Sequence, residues 1–252
     1  MDLQLDGRTV LVTGGSGGIG RAVATAFAAE GAAVAVGWHS DGAGAQESVG
    51  AAEAAGARAV GVQLDQADPA SCARVVAEVE RRLGGVDVLV VNAVVWPSSF
   101  EYSWEELTAG LTANAAGPVA LVEAALPAMR SAGWGRVVLV SSDVLAQPMP
   151  AAAAYPAAKG ALEAAARVFA VREARHGVLT NVVRPGFTLT QRALDHPRMG
   201  RSAVEAEGEE TPTGRICTPE DVAGAVAFLG SGANGHVNGE VLSVAGGRQL
   251  TR

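Results

Sequence analysis

The feature that most constrains this chain is a rhythm. Short apolar runs rich in β-branched residues alternate with segments of helical periodicity. The runs are TVLVTG (9–14), AVAVGW (33–38), AVGVQLD (59–65), VDVLVVNA (86–93), GRVVLVSS (135–142), GVLTNVVRPG (177–186) and EVLSVAGG (240–247). Strands apolar along their whole length are buried on both faces, as in a parallel sheet covered by helices. Helix starts stand between them. Asp68-Pro69 and Thr218-Pro219-Glu220-Asp221 place a capping side chain before a proline at the first helical position. Gly20–Glu30 and a segment from Pro156 to about Arg175 complete the pattern.

The alternation predicts an α/β fold. It is a single Rossmann-type doubly wound domain over residues 1–252, with a seven-stranded, mostly parallel sheet and helices on both faces. One polar segment, 188–215, breaks the rhythm and is read as a substrate lid.

The totals exclude several classes of function. Net charge is −7 and no basic run occurs, which argues against nucleic acid or anionic membrane as a partner. Cys72 and Cys217 lack metal-ligand spacing, the four histidines are scattered, and no metal is expected. The start MDLQLDGRTV does not read as a signal peptide, and no uninterrupted apolar run nears the ~20 residues that span a bilayer. A cytoplasmic location is expected.

The first run ends in TGGSGGIG, Thr13 to Gly20. Gly14 allows a sharp turn, Gly18 lets a pyrophosphate approach the backbone, and Gly20 lets the helix lie close to the strand. Ser16 and Ile19 lie in the same loop. The helix N-terminus then offers free N–H groups to phosphates. A carboxylate at the end of the second strand would bond ribose hydroxyls and repel a 2′-phosphate. Trp38 stands there instead, followed by His39 and Ser40, and Asp41 reads as a turn residue before Gly42. This favours NADP(H) over NAD. Asp65, with the backbone of Gln66, is placed beside the adenine.

The stretch AYPAAKG contains the only lysine of the chain, Lys159, and one of two tyrosines, Tyr155. At i and i+4 they share one helix face. An ammonium near a phenol favours the phenolate and lowers a pKa of about 10, giving a general acid/base.

With TGGSGGIG (13–20), NA (92–93), Asn114, SS (141–142), YPAAK (155–159) and RPGFTLT (184–190), the chain resembles the short-chain dehydrogenase/reductase family over nearly its whole length. The resemblance implies roles. Ser142 would bond the substrate carbonyl oxygen and Tyr155 would give it a proton. Lys159 would lower the tyrosine pKa and hold the nicotinamide ribose, while Asn114 would hold a water linking Lys159 to solvent. Asn92 and Ala93 would border the adenosine ribose. Pro185, Gly186, Thr188 and Thr190 would face the carboxamide. Taken alone, Asn114 also reads as a helix-kink residue. Val94 departs from the family's glycine. Asp143 is read as a turn residue facing solvent, with a substrate contact as the alternative.

Val95, Trp96, Val144, Leu145, Met149 and Phe187 are expected to line a pocket for a bulky apolar ketone. The resemblance is nearest to polyketide and carrier-protein ketoreductases, and points to an NADPH-dependent reductase of an angucyclinone-type aromatic polyketide in antibiotic biosynthesis. The alternatives are a 3-oxoacyl-carrier-protein reductase, for which Arg130 and Arg172 would meet an acidic partner, an NAD-dependent alcohol dehydrogenase, and a catalytically silent NADP-binding regulator. An alanine face on the Tyr155 helix (Ala157, Ala158, Ala161, Ala164 to Ala166) and the family pattern point to a homo-oligomer, a tetramer or dimer.

Overall fold

The computed structural model describes residues 1–96, 102–148, 153–195 and 200–251. The strands are β1 (Thr9–Thr13), β2 (Ala33–Trp38), β3 (Ala59–Gln63), β4 (Val88–Val91), β5 (Gly135–Val140), β6 (Val178–Pro185) and β7 (Val241–Val244). They form one sheet in the order β3-β2-β1-β4-β5-β6-β7. Every neighbouring pair is parallel. The helices are α1 (Gly18–Ala29), α2 (Gly42–Ala54), α3 (Pro69–Leu83), α4 (Trp104–Leu111), α5 (Gly117–Ala132), α6 (Ala154–Glu173), α7 (Gln191–Asp195), α8 (Gly200–Glu210) and α9 (Pro219–Leu229).

Alternation along the strands builds two cores. Leu11, Leu89, Val137 and Leu139 pack under α3, α5 and α6, whereas Val10, Val12, Val90 and Val138 pack under α1, α2 and α9. The predicted caps hold their helices. Asp68 accepts from the Ala70 N–H, and Thr218 forms a capping box with Asp221. Chain order reverses between β1 and β4. Their carboxyl ends, Thr13 and Val91, therefore flank the crevice where ligands bind in such sheets.

Two expectations change. The segment 188–215 folds into α7 and α8 in its described parts, with residues 196–199 outside them. Its polarity hid the helices, because α8 docks through ion pairs from Arg248 to Glu207 and Glu210 rather than through an apolar stripe. The stretch Trp104–Ala132 is also one helix, long and apolar enough on average to cross a membrane. It escaped a search for uninterrupted runs. Its most apolar window is half-buried in the domain, with Leu121, Val122 and Leu126 in the core, which is how a core helix uses such residues.

Candidate active site

The glycine loop closes the end of β1 onto β4. Thr13 Oγ1 accepts from the N–H groups of Asn92 and Ala93 at 3.0 and 2.9 Å. Asn92 Nδ2 donates to the carbonyls of Thr13 and Gly14 at 3.0 and 3.2 Å. Gly14 has φ +63°, and a Cβ there would meet Ala93 Cα at 2.8 Å. At Gly20 a Cβ would sit 2.1 Å from the Gly14 carbonyl oxygen, so only glycine fits. Gly18 (φ +51°) faces Thr190 from across the crevice. Ile19 anchors the turn in the core. No side chain caps α1, whose N-terminal N–H groups point toward the loop's concavity. This cradle fits a dinucleotide pyrophosphate.

At the carboxyl end of β2, Trp38 is half-buried and packs over Gly42 and Gly61, while His39 and Ser40 are exposed. Asp41 caps α2 by accepting from the Gly44 N–H at 2.9 Å, in keeping with its reading as a turn residue. Asp65 is exposed and folds back on the Ala67 N–H. Gln66 is buried instead, and its Nε2 donates to the carbonyls of Ala93 and Ala113. Arg21 joins the site without any local signal in the sequence. Its guanidinium donates to the carbonyls of Ser16 and Gly44 and pairs with Glu47. A cation thus sits under the corner between the glycine loop and α2.

The polar cluster lies where β5 meets α6. Ser142 caps the short 3-10 turn Asp143–Leu145 by accepting from the Val144 N–H, and it lies near enough to the Tyr155 phenol to favour its charged form. Lys159 is buried one turn further along α6 and donates to the Val140 carbonyl at 2.7 Å. Its Nζ is 5.8 Å from the Tyr155 ring centroid. The expected lowering of the tyrosine pKa is not found in this arrangement. Burial pushes the phenol up to about 12, the nearby Ser142 hydroxyl opposes this, and the Asp143 charge adds to it. The ammonium is engaged behind the ring by Val140, and Trp96 stacks on the phenol at 4.6 Å. Burial in turn pushes Lys159 down to about 8, against the pull of Glu163.

Asn114 lies inside a π-helical turn, Thr112–Ala116, joining α4 to α5. Its side chain accepts from the Val95 N–H at 2.8 Å and donates to the Val95 carbonyl at 2.7 Å. Asn114 thus sits in the π-turn, and its carboxamide orients the loop after β4. A cavity of about 30 Å³, room for one water, is bordered by Asn114, Val95, Trp96, Glu106 and Tyr155.

On the opposite wall, Pro185 ends β6 and Gly186 packs against Ala245. Thr188 donates to the Gly186 carbonyl, and Thr190 caps the start of α7 by accepting from Ala193. Asp143 does not face solvent. It is half-buried beside Gly186, and burial together with the Glu207 charge raises its pKa to about 6, with Arg248 and Arg184 opposing. Its proximity to α8 and the C-terminal turn is a tertiary fact that the dipeptide Ser142-Asp143 does not carry. Two more residues went unread. Glu163 accepts from Ser141 and, bidentately, from Arg184.

Of the expected substrate contacts, Trp96 and Val95 border the tyrosine cavity. Val144 is buried, Leu145 leans toward Gly160 on α6, and Phe187 is half-buried with its carbonyl accepting from Cys217. Met149 lies outside the described residues. Arg130 and Arg172 are both paired with Glu173, and Arg172 also with Glu123, so their charges are already matched within the chain.

The family model described as Enoyl-(Acyl carrier protein) reductase matches residues 14–249. An L-rhamnose 1-dehydrogenase (NAD(P)(+)) of Sphingomonas is 37% identical over 96% of this chain and 96% of its own. The 3-oxoacyl-[acyl-carrier-protein] reductase of Escherichia coli is 34% identical over 98% of this chain and all of its own. The crystal structure of an acetoin dehydrogenase from Salmonella typhimurium superposes with TM-score 0.86 at 32% identity, covering 97% of each chain. With the glycine cradle at the β1–β4 crevice and Ser142, Tyr155 and Lys159 gathered beside it, the chain belongs to the short-chain dehydrogenase/reductase family of NAD(P)-dependent oxidoreductases.

Proposed function

We propose that the protein is an NADPH-dependent ketoreductase acting on a bulky, flat, apolar ketone, with an aromatic polyketide as the substrate class. The observation that carries the reading is the half-buried Tyr155 phenol, close to Ser142 and lying under the indole of Trp96. A phenol held near 12 is protonated at every physiological pH, which suits a proton donor to a forming alkoxide better than a base. Ser142 Oγ holds the carbonyl oxygen and steadies its developing charge. Tyr155 delivers the proton. Lys159, once drawn from Val140 to the ribose, restores the charge balance beneath the phenol. Asn114 borders the single-water cavity through which the proton is replaced. The dinucleotide, when bound, supplies the hydride.

The glycine loop, with Ser16, would hold the pyrophosphate, and Asn92 and Ala93 the neighbouring ribose. Pro185, Gly186, Thr188 and Thr190 would hold the carboxamide. Trp38 in place of an acid, with Arg21 behind Ser16, supports NADPH over NADH. Helices α7 and α8 serve as the substrate lid. The exposed stripe Ala157, Ala161, Ala164, Val168 and Val171 on α6 supports self-association, whereas Ala158 and Ala166 face the core. A cytoplasmic location accompanies this reading. The second reading, reduction of a 3-oxoacyl thioester, draws on the name of the Escherichia coli relative.

NADPH oxidation followed with a polycyclic aromatic ketone, with an acetoacetyl thioester and with acetoin separates the readings. Preference for the polycycle supports the first, and preference for the thioester replaces it with the second. Tyr155→Phe should bind NADPH as the wild type does and lose at least about a hundredfold in turnover. Unchanged turnover in that variant sinks the mechanism.

A further inference from the structure

Beneath Ser142, Tyr155 and Lys159 lies a buried carboxylate, Glu163, that the proposed proton path does not use. Glu163 follows Lys159 by four residues on α6, so both side chains share one helix face. The two residues are 4% and 3% exposed. The Glu163 carboxylate accepts from Ser141 Oγ at 2.6 Å, and from Arg184 Nε and Nη2 at 2.7 and 2.6 Å. Ser141 immediately precedes Ser142, and Arg184 immediately precedes Pro185-Gly186. One carboxylate therefore joins α6, the end of β5 and the end of β6.

Packing alone does not ask for such a group. A buried ion pair is commonly replaceable by apolar side chains of similar volume without loss of stability. Apart from Lys159 and the arginine-paired Glu173 at its far end, the rest of the buried face of α6 is Ala, Leu and Phe. What Glu163 supplies is a negative charge beside a buried ammonium. Burial works against the charge on Lys159, and Glu163 is the group that favours it. The other charged or titratable groups around this centre are Arg184 from β6, Tyr155 from α6 and Asp143 from the turn after β5. Asp143 acts on Arg184 and Tyr155, and is itself influenced by Glu207 of α8 and by Arg248.

We infer that Glu163 is a positioning residue for the reduction: its buried carboxylate keeps the Lys159 ammonium charged and ties the lysine's helix to the strand ends that carry Ser142 and the Pro185–Gly186 turn. This rests on the catalytic reading of Lys159 given above, and the test addresses the lysine separately from turnover.

Lys159 is the sole lysine of the chain, so protein labelled with ε-13C-lysine gives a single side-chain resonance whose titration reports this residue alone. Glu163→Gln leaves Arg184 cationic nearby, and the Lys159 midpoint should fall by about one pH unit or more. Arg184→Gln leaves the carboxylate unopposed, and the midpoint should rise. Were Glu163 merely a packing element, both variants would let water reach Lys159 and raise its midpoint toward about 10.4. A fall in Glu163→Gln with a rise in Arg184→Gln supports the inference, and an unchanged or raised midpoint in Glu163→Gln overturns it. Should Glu163→Gln not fold, the neutral pair Glu163→Gln with Arg184→Gln replaces it. A smaller fall is then expected, because Glu163 rather than Arg184 acts directly on Lys159, and an unchanged or raised midpoint overturns the inference. The alkaline limb of NADPH-dependent ketone reduction should shift in the same direction. Midpoints that move while that limb stays fixed overturn the catalytic reading of Lys159, and the positioning role with it. Midpoints that do not move overturn the role of Glu163 alone.

Discussion

Trp96 lies flat on Tyr155, with ring centroids 4.6 Å apart and 27° between the planes, and the Arg192 guanidinium covers the indole at 5.4 Å. The phenol to which the proposed mechanism gives the proton transfer is thus roofed by an aromatic ring. A flat ketone reaching Ser142 and Tyr155 slides against that ring or takes its place. Aromatic stacking is worth about 0.5–1.5 kcal/mol beyond area burial. Trp96→Ala should therefore raise KM for a polycyclic ketone about 3–10-fold while leaving KM for a small aliphatic ketone unchanged or lower. Steady-state kinetics on the two substrates check this. An equal effect on both would remove Trp96 from substrate selection.

Asp143 gives a prediction with a defined sign. Its folded pKa, about 6, lies above the ordinary carboxylate value of 3.8. The native state holds the proton more tightly than the unfolded chain, so stability falls as pH rises from about 4 to 6. Asp143→Asn removes that loss. After allowance for partial exposure, the variant should be about 1–2 kcal/mol more stable than wild type at pH 7. The advantage should vanish below about pH 4. Denaturant titrations at the two pH values measure it, and the same substitution should ease the Tyr155 pKa downward.

Glu173 runs the other way. Arg130 donates to it at 2.6 and 2.7 Å, Arg172 adds a further contact, and together they hold its carboxyl at about 2. Its stabilisation is complete above the ordinary carboxylate range and is lost as pH falls toward 2. Glu173→Gln should cost about 2 kcal/mol at neutral pH. That corresponds to about 4–8 °C in Tm for a chain of this size. Turnover at 25 °C should not change. A thermal melt with a parallel activity assay separates the two effects.

The glycine cradle can be closed by one methyl group. A Cβ at Gly20 would lie 2.1 Å from the Gly14 carbonyl oxygen and 2.7 Å from Asn92 Nδ2. Gly20→Ala should push α1 away from the loop and weaken NADPH binding by at least about tenfold, since α1's N–H groups would no longer meet the phosphates. Fluorescence titration with NADPH is the measurement.

Local features of the sequence were read well. Apolar runs marked all seven strands because burial on both sheet faces leaves no polar alternation, and Asp68-Pro69 and Thr218-Pro219 marked helix starts because capping is a local event. Tyr155 and Lys159 stand out by residue type and spacing, and Ser142 through the family resemblance. Residues whose roles depend on distant partners did not. Glu163 and Arg184 are 21 positions apart, and neither looks unusual on its own helix or strand. The burial of Asp143 depends on Glu207 and Arg248, contributed by α8 and the C-terminal turn. The bond of Asn114 to Val95 is likewise not legible locally, because it requires the loop after β4 to be in place. The Tyr155 pKa failed as an expectation because proximity in a helix says nothing of burial. Desolvation outweighs the lysine charge once Lys159 is bonded to Val140.

The placement of Trp38 has a spectroscopic consequence. Its indole lies over Gly42 and Gly61 at the carboxyl end of β2, where the proposed reading puts the adenosine, while Trp96 lies against Tyr155. Indole emission overlaps the absorption of a reduced nicotinamide, so the two rings sense different parts of one bound molecule. With Trp104 and Trp134 replaced, a pair of single-tryptophan proteins would separate arrival of the adenine from settling of the nicotinamide. Stopped-flow traces would then give the order in which the two halves of the dinucleotide come to rest.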